Sequence, residues 1–149
     1  HAGAIAQSQK TLELNEDYFQ AHLDIGSAHL AQGHPERALE WYGRGQALES
    51  SVRSYDAFIV RALAALERRD EAEEIMARLE EESRQHYVRA EILAMGYAAL
   101  GNFDRAFACL ERALQTRSAG LIYFHLDPGY YPLRSDSRYG ELVQRIGLK

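Results

Sequence analysis

Two stretches of this chain align without a gap at a spacing of 34 residues: AALERRDEA at residues 64–72 and AALGNFDRA at residues 98–106. A third stretch, LAQGHPERA at residues 30–38, fits the same frame. The frame is marked by a recurring alanine, found at Ala4, Ala38, Ala72 and Ala106. A fixed period of this length is typical of repeat proteins, in which each unit buries its apolar face against its neighbours.

The residues around the recurring alanine indicate helical hairpins. One position of the frame is mostly small, with Gly26, Val60 and Ala94, and another is mostly large, with Ser8, Tyr42, Met76 and Leu110. Small residues beside large ones are the pattern of two closely packed helices. We predict helices near 18–31, 35–48, 52–66, 70–83, 86–100 and 104–117. Gly33 and Gly101 should end helices in the left-handed conformation. Asp70 and Asp104 should cap the helices that follow.

Over residues 4–117 the pattern resembles the tetratricopeptide repeat family. The first full unit matches best, and the second departs from the family pattern at Val60 and Glu67. The resemblance implies an all-α fold, an alpha-alpha superhelix or solenoid of helix-turn-helix repeats. The boundaries we expect are the second helix of a truncated repeat at 1–17, repeats at 18–51, 52–85 and 86–117, and a cap at 118–149. Because the pattern starts inside a repeat, we expect the chain to be a fragment of a longer protein.

The last segment departs from the 34-residue pattern. The run from Leu121 to Leu126 is β-branched and aromatic, which predicts an extended segment. Asp127 and Pro128 are typical of a cap and a first-turn proline. A final helix should start at Ser135 or Asp136 and end at Gly147, with an apolar stripe at Tyr139, Leu142, Val143 and Ile146. A repeat array needs such a helix to cover its last apolar face.

This tail also resembles one that follows tetratricopeptide repeats in bacterial multidomain signalling proteins. Two stretches carry the resemblance, residues 121–128 (LIYFHLDP) and 132–139 (PLRSDSRY). In those proteins the repeats follow a kinase, a winged-helix DNA-binding domain or a nucleotide cyclase. The resemblance implies the sensor or scaffold region of a larger bacterial regulatory protein.

The composition argues against nucleic-acid binding and against membrane insertion. The net charge of −5 disfavours direct contact with nucleic acid, which needs a basic surface. No apolar run reaches the roughly 20 residues of a membrane-spanning helix, so we expect no membrane insertion. We take the cytoplasm as the default compartment, and the periplasm if the parent protein is membrane-anchored.

No catalytic motif or metal-binding spacing is found, so we expect no enzyme activity, no cofactor and no metal. His22 and His29 share one helix face, where packing is favoured over metal binding because no third ligand is near. Cys109 should be a buried apolar residue. The glutamates between 71 and 82 should form a solvated face with neighbouring arginines. For the aromatic residues at 123, 124, 130, 131 and 139 we favour packing over recognition.

The family resemblance implies that first-helix residues line a concave peptide-binding face. In this chain we assign that face to Gln20, Leu23, Ser27, Leu30, Ser54, Phe58, Arg61, Val88, Ile92 and Met95. The Lys and Asn with which some family members grip a terminal carboxylate are missing. We therefore expect a non-catalytic scaffold that binds an apolar protein or peptide partner. The alternative is a structural or dimerisation segment of a signalling enzyme such as a kinase or cyclase, in which case the chain forms a homo-oligomer.

Overall fold

A computed structural model describes residues 2–51 and 54–148, except for the side chain of Ser54. Within these residues the fold is all-α, with helices joined by short turns and no strand. The chain divides into two compact units, His1–Ala72 and Glu73–Lys149. Among the described residues, none of the helices has the length and hydrophobicity that a membrane span requires.

The helices follow the predicted hairpin order. The first unit contains α1 (Ala2–Leu14), α2 (Phe19–Ala31), α3 (Pro35–Leu48) and α4 (Ser54–Ala65). Helix α5 (Arg69–Gln85) begins in the first unit and continues into the second. The second unit also contains α6 (Ala90–Ala99), α7 (Phe103–Gln115), the 3-10 helices η1 (Ala119–Tyr123) and η2 (Pro128–Ser135), and α8 (Ser137–Ile146).

Close helix packing explains the recurring small residues. Ala38, Ala72 and Ala106 are fully buried. Gly26 of α2 faces the buried ring of Tyr42 on α3 so closely that an added Cβ would overlap the ring. In α1, by contrast, no residue is buried, and Ala4 is exposed.

The turns between paired helices use a left-handed residue, as predicted for Gly33 and Gly101. Their φ angles are +79° and +75°. Glu67 occupies the equivalent place in the frame and has a φ of +58°. A non-glycine residue pays a steric cost there, because its Cβ crowds the backbone. The fold therefore keeps the turn even where the sequence has lost the glycine.

Two local predictions between residues 86 and 117 differ from the structure. Helix α6 begins at Ala90 rather than near residue 86, because the backbone of Arg89 is still extended, with a φ of −61° and a ψ of 130°. Asp104 does not cap α7. The cap is Asn102, whose side chain accepts a hydrogen bond from the Arg105 backbone NH at 3.3 Å.

The expectation of an extended segment at 121–126 is also wrong, because its first half belongs to η1 and the rest forms turns. Leu121 and Phe124 are buried and stand three residues apart, which matches the three residues per turn of a 3-10 helix. The other large apolar members of the run, Ile122, Tyr123 and Leu126, face solvent. As predicted, the side chain of Asp127 caps the next helix, accepting from the Gly129 NH at 2.8 Å.

The last helix is confirmed, and it continues the repeat frame. Gly147 ends it in the left-handed conformation, with a φ of +83°. Two ion pairs join α7 to α8, Asp104 with Arg138 at 2.9 Å and Glu111 with Arg145. Both pairs join residues that are 34 positions apart. Because the offset is the same at both places, α8 runs parallel to α7.

Candidate functional site

In the first unit, α2 and α4 lie side by side over a shared core. The Tyr55 hydroxyl on α4 donates a hydrogen bond to the Phe19 carbonyl on α2. Burial, followed by the charge of Asp24, raises the pKa of Tyr55 to about 12, so the hydroxyl stays protonated as a donor. The core beneath the two helices consists of Leu23, Ala38, Tyr42, Tyr55 and Ala62.

Five of the predicted binding residues remain partly accessible on this pair of helices: Gln20, Ser27, Leu30, Phe58 and Arg61. We call these five the first-helix face. Two of the five side chains make polar contacts within the unit, with Gln20 donating to Asp24 at 3.0 Å and Ser27 lying 3.2 Å from the Tyr42 hydroxyl. Leu30 and Phe58 pack their inner sides against the core. The face therefore combines an apolar floor with polar edges.

Arg61 is the cation of the first-helix face. Its guanidinium carbon lies 5.3 Å from the centre of the Phe58 ring, and that ring lies 5.6 Å from the ring of Tyr42. Stacking on an aromatic face positions a guanidinium without using its N–H donors. No carboxylate of the described residues lies within ion-pair distance of Arg61. The donors are thus available to an acceptor from outside the chain.

The remaining predicted residues of the first unit lie elsewhere. Leu23 is a core residue and is only 8% exposed. The side chain of Ser54 is outside the described residues.

In the second unit, the C-terminal segment covers much of the predicted face. Met95 is buried, and a Cβ added at Gly129 of η2 would lie 2.7 Å from Met95 Cγ. The Tyr130 hydroxyl donates to the Glu91 carbonyl at 3.0 Å. Val88 is buried as well, and Ile92 is partly buried. A partner could reach Met95 only by displacing η2.

Two residues of the predicted face, Phe58 and Ile92, do not stand at the repeat position of Leu23. Glu91, which does stand there, was not predicted. When the recurring alanines are aligned, the residues equivalent to Leu23 are Ala57 and Glu91, whereas Phe58 and Ile92 follow one position later. Glu91 is 3% exposed. Its carboxylate accepts from the Ser118 hydroxyl and lies 3.5 Å from Arg89 Nη2. Strict use of the frame would have singled out this carboxylate at an otherwise apolar position.

His22 and His29, the two histidines that share a helix face, lie in packed surroundings. His22 is buried, with its ring centre 5.6 Å from that of Trp41. Burial, with the charges of Arg37 and His34, lowers the pKa of His29. No group of three or more potential metal ligands occurs among the described residues.

Cys109 and the glutamates of α5 were the other groups that the sequence offered as possible sites. Cys109 is partly buried, and burial raises the pKa of its thiol, so the thiolate is disfavoured. The acidic run of α5 forms the predicted face with arginines, including pairs of Glu71 with Arg68 at 2.6 Å and Glu80 with Arg105 at 3.2 Å.

The tail aromatics divide into two groups. Phe124 and Tyr130 are buried, with ring centres 5.1 Å apart, and Tyr139 packs against Phe124 at 5.0 Å. Tyr123 and Tyr131 are exposed instead. The packing interpretation thus holds for the first three.

Comparison with known families identifies one repeat. The family model for the tetratricopeptide repeat matches residues 91–121, which cover most of α6, all of α7 and the start of η1. The match supports a repeat of this type in the chain. Neither a search of curated proteins nor one of solved structures finds a match.

Proposed function

We propose that this chain is a non-catalytic protein–protein interaction module and that the first-helix face binds a peptide or helix of the partner. Repeats of the tetratricopeptide type generally mediate protein–protein contacts, and the match at residues 91–121 supports that class. The observation that carries the proposal is Arg61, which is held over Phe58 at 5.3 Å with no carboxylate of the described residues beside it. An arginine beside an apolar floor is typical of binding surfaces.

Phe58 and Leu30 would contact apolar side chains of the partner. Gln20 and Ser27 would bond to its backbone, and Arg61 would bind a carbonyl or carboxylate. Such a surface matches a segment laid across two neighbouring helices. We place the interaction in the first unit because Val88 and Met95 of the second are buried. We further propose, from the resemblance of the tail, that the parent protein is a bacterial regulator in which residues 18–117 form three repeats and 118–149 a cap.

A peptide array tests the proposal. The wild-type chain and the variant Arg61→Ala are applied to a diverse set of peptides, and the binders are measured in solution by fluorescence anisotropy. Arg44→Ala is the matched control, because the Arg44 guanidinium also lies over an aromatic ring, that of Trp41 at 4.8 Å, but on α3. We expect Arg61→Ala to weaken binding by about 2 kcal/mol, as at interface hot spots, and Arg44→Ala to leave it unchanged.

Two results would count against the proposal. One is an array on which no peptide binds the wild-type chain. The other is a set of binders that are equally sensitive to both arginine variants. Light scattering of the same proteins examines the alternative, since a dimer that Arg61→Glu dissociates would assign the first-helix face to self-association.

A further inference from the structure

A second surface lies on the C-terminal segment, apart from the first-helix face. Four large apolar side chains between residues 122 and 131 face solvent. Their exposed fractions are 54% for Ile122, 60% for Tyr123, 61% for Leu126 and 41% for Tyr131. We call these four residues, together with Arg134, the tail patch. Apolar side chains grouped in this way on a protein surface are typical of interaction sites.

The tail patch is held in place before any partner arrives. The Leu126 NH donates to the Tyr123 carbonyl at 3.0 Å, and the Tyr131 hydroxyl donates to the Leu126 carbonyl at 3.2 Å. Phe124 and Tyr130 alternate with these residues along the chain and are buried. Binding would therefore cost less conformational entropy at Tyr131, because its ring is already held by its hydrogen bond and by Arg134.

The edge of the tail patch is cationic. The Arg134 guanidinium lies 3.6 Å from the centre of the Tyr131 ring and donates to the His125 carbonyl at 2.9 Å. Within the described chain no carboxylate lies at ion-pair distance from Arg134. Asp127 is the only acidic residue between Arg112 and Ser135, and its carboxylate caps η2. The patch thus presents one cation, Arg134, in a chain whose net charge is −5.

We propose that the tail patch docks a protein segment that presents an acidic side chain beside an apolar one. Tyr123, Leu126 and Ile122 would bury the apolar side chain. Arg134 would bind the carboxylate through its remaining donors, for which a guanidinium has the matching planar geometry. A basic segment would be rejected, since it would place a second cation beside Arg134. Tyrosine and arginine are among the residues enriched at the energetic centres of protein interfaces.

Three fluorescent probe peptides test whether the tail patch prefers an acidic segment to a basic one. They share one arrangement of leucine and tyrosine and carry glutamate, lysine or serine at the intervening positions. Binding to the full chain is measured by anisotropy. We expect the glutamate probe to bind at least about tenfold more tightly than the lysine probe. Leu126→Ser should lower the affinity for the glutamate probe by about tenfold or more, as loss of an interface anchor does.

Charge reversal gives a result that misfolding cannot imitate. Arg134→Glu should weaken binding of the glutamate probe and strengthen binding of the lysine probe. Tyr87→Ser and Arg112→Glu serve as controls, because they remove an exposed ring and reverse an exposed cation outside the tail patch. Arg61→Ala should not change probe binding, which separates this proposal from the first-helix face. The proposal is overturned if the three probes bind alike, if none binds, or if Arg134→Glu keeps the wild-type preference.

Discussion

The contact between Gly26 and Tyr42 leads to a sharp prediction about stability. An ideal Cβ at Gly26 would lie 3.1 Å from Tyr42 Cζ and closer still to two other ring carbons. Tyr42 is fully buried, contacts the Ser27 hydroxyl and packs against Phe58. The ring cannot move away without disturbing both neighbours. We therefore expect Gly26→Ala to destabilise the first unit, although alanine is the better helix former.

Two opposing contributions set the change in the free energy of unfolding that Gly26→Ala causes. Forcing an extra methyl group into a packed core costs about 1–3 kcal/mol. Replacing glycine by alanine within a helix returns about 0.8–1 kcal/mol. Gly43 on α3 provides the matched control, because it is exposed and no atom lies within 4 Å of its ideal Cβ. Gly43→Ala should therefore stabilise by about 0.8–1 kcal/mol, and the two variants should differ by about 1–3 kcal/mol.

Urea denaturation followed by circular dichroism measures both variants. The pair Tyr42→Leu and Gly26→Ala/Tyr42→Leu adds a second comparison, because a smaller side chain at position 42 should remove the cost of the added methyl group. Equal stabilities for Gly26→Ala and Gly43→Ala would refute the close packing of α2 on α3.

Three further predictions concern local structure. Glu67→Gly should stabilise the chain by about 0.5–1 kcal/mol in thermal unfolding, because it removes a side chain from a left-handed turn, while Glu67→Ala should bring no gain. Asn102→Ala should cost about 1 kcal/mol as the loss of a cap, whereas Asp104→Ala should cost less than about 0.5 kcal/mol in salt, with chemical denaturation as the measurement. Hydrogen bonds from Arg138 lower the pKa of Asp136 from 3.8 to about 2, so the advantage of wild type over Asp136→Asn should be complete above pH 3.8 and disappear as the pH falls to about 2 in acid titrations of unfolding.

The sequence predicted the hairpins because their signals are local and repeated. Alanine at one position and glycine at two of the three turns reflect contacts within a single unit, so the 34-residue frame revealed them. Glu67 kept the same turn without the usual residue, because the packed helices on either side impose it. The C-terminal segment was harder to predict. Burial of the Leu121 and Phe124 side chains favours a 3-10 helix there. Periodicity alone does not distinguish such a run from a strand.

The candidate site was only partly predictable for a related reason. The frame assigns a residue to a helix face, but accessibility depends on what covers that face. Met95 has the register of a binding residue, yet Gly129 approaches it from a segment with no repeat pattern. Arg61 was identified by its charge and position. Its stacking on Phe58 depends on the rotamers of both side chains, which no sequence pattern specifies.

Hydrogen–deuterium exchange on the complex with the tightest peptide from the array shows which helices the peptide covers. Binding at the first-helix face should slow exchange in α2 and α4, and Arg61→Ala should abolish this protection at the same peptide concentration. Protection confined to α3 or α7, with α2 and α4 unchanged, would contradict binding at the first-helix face.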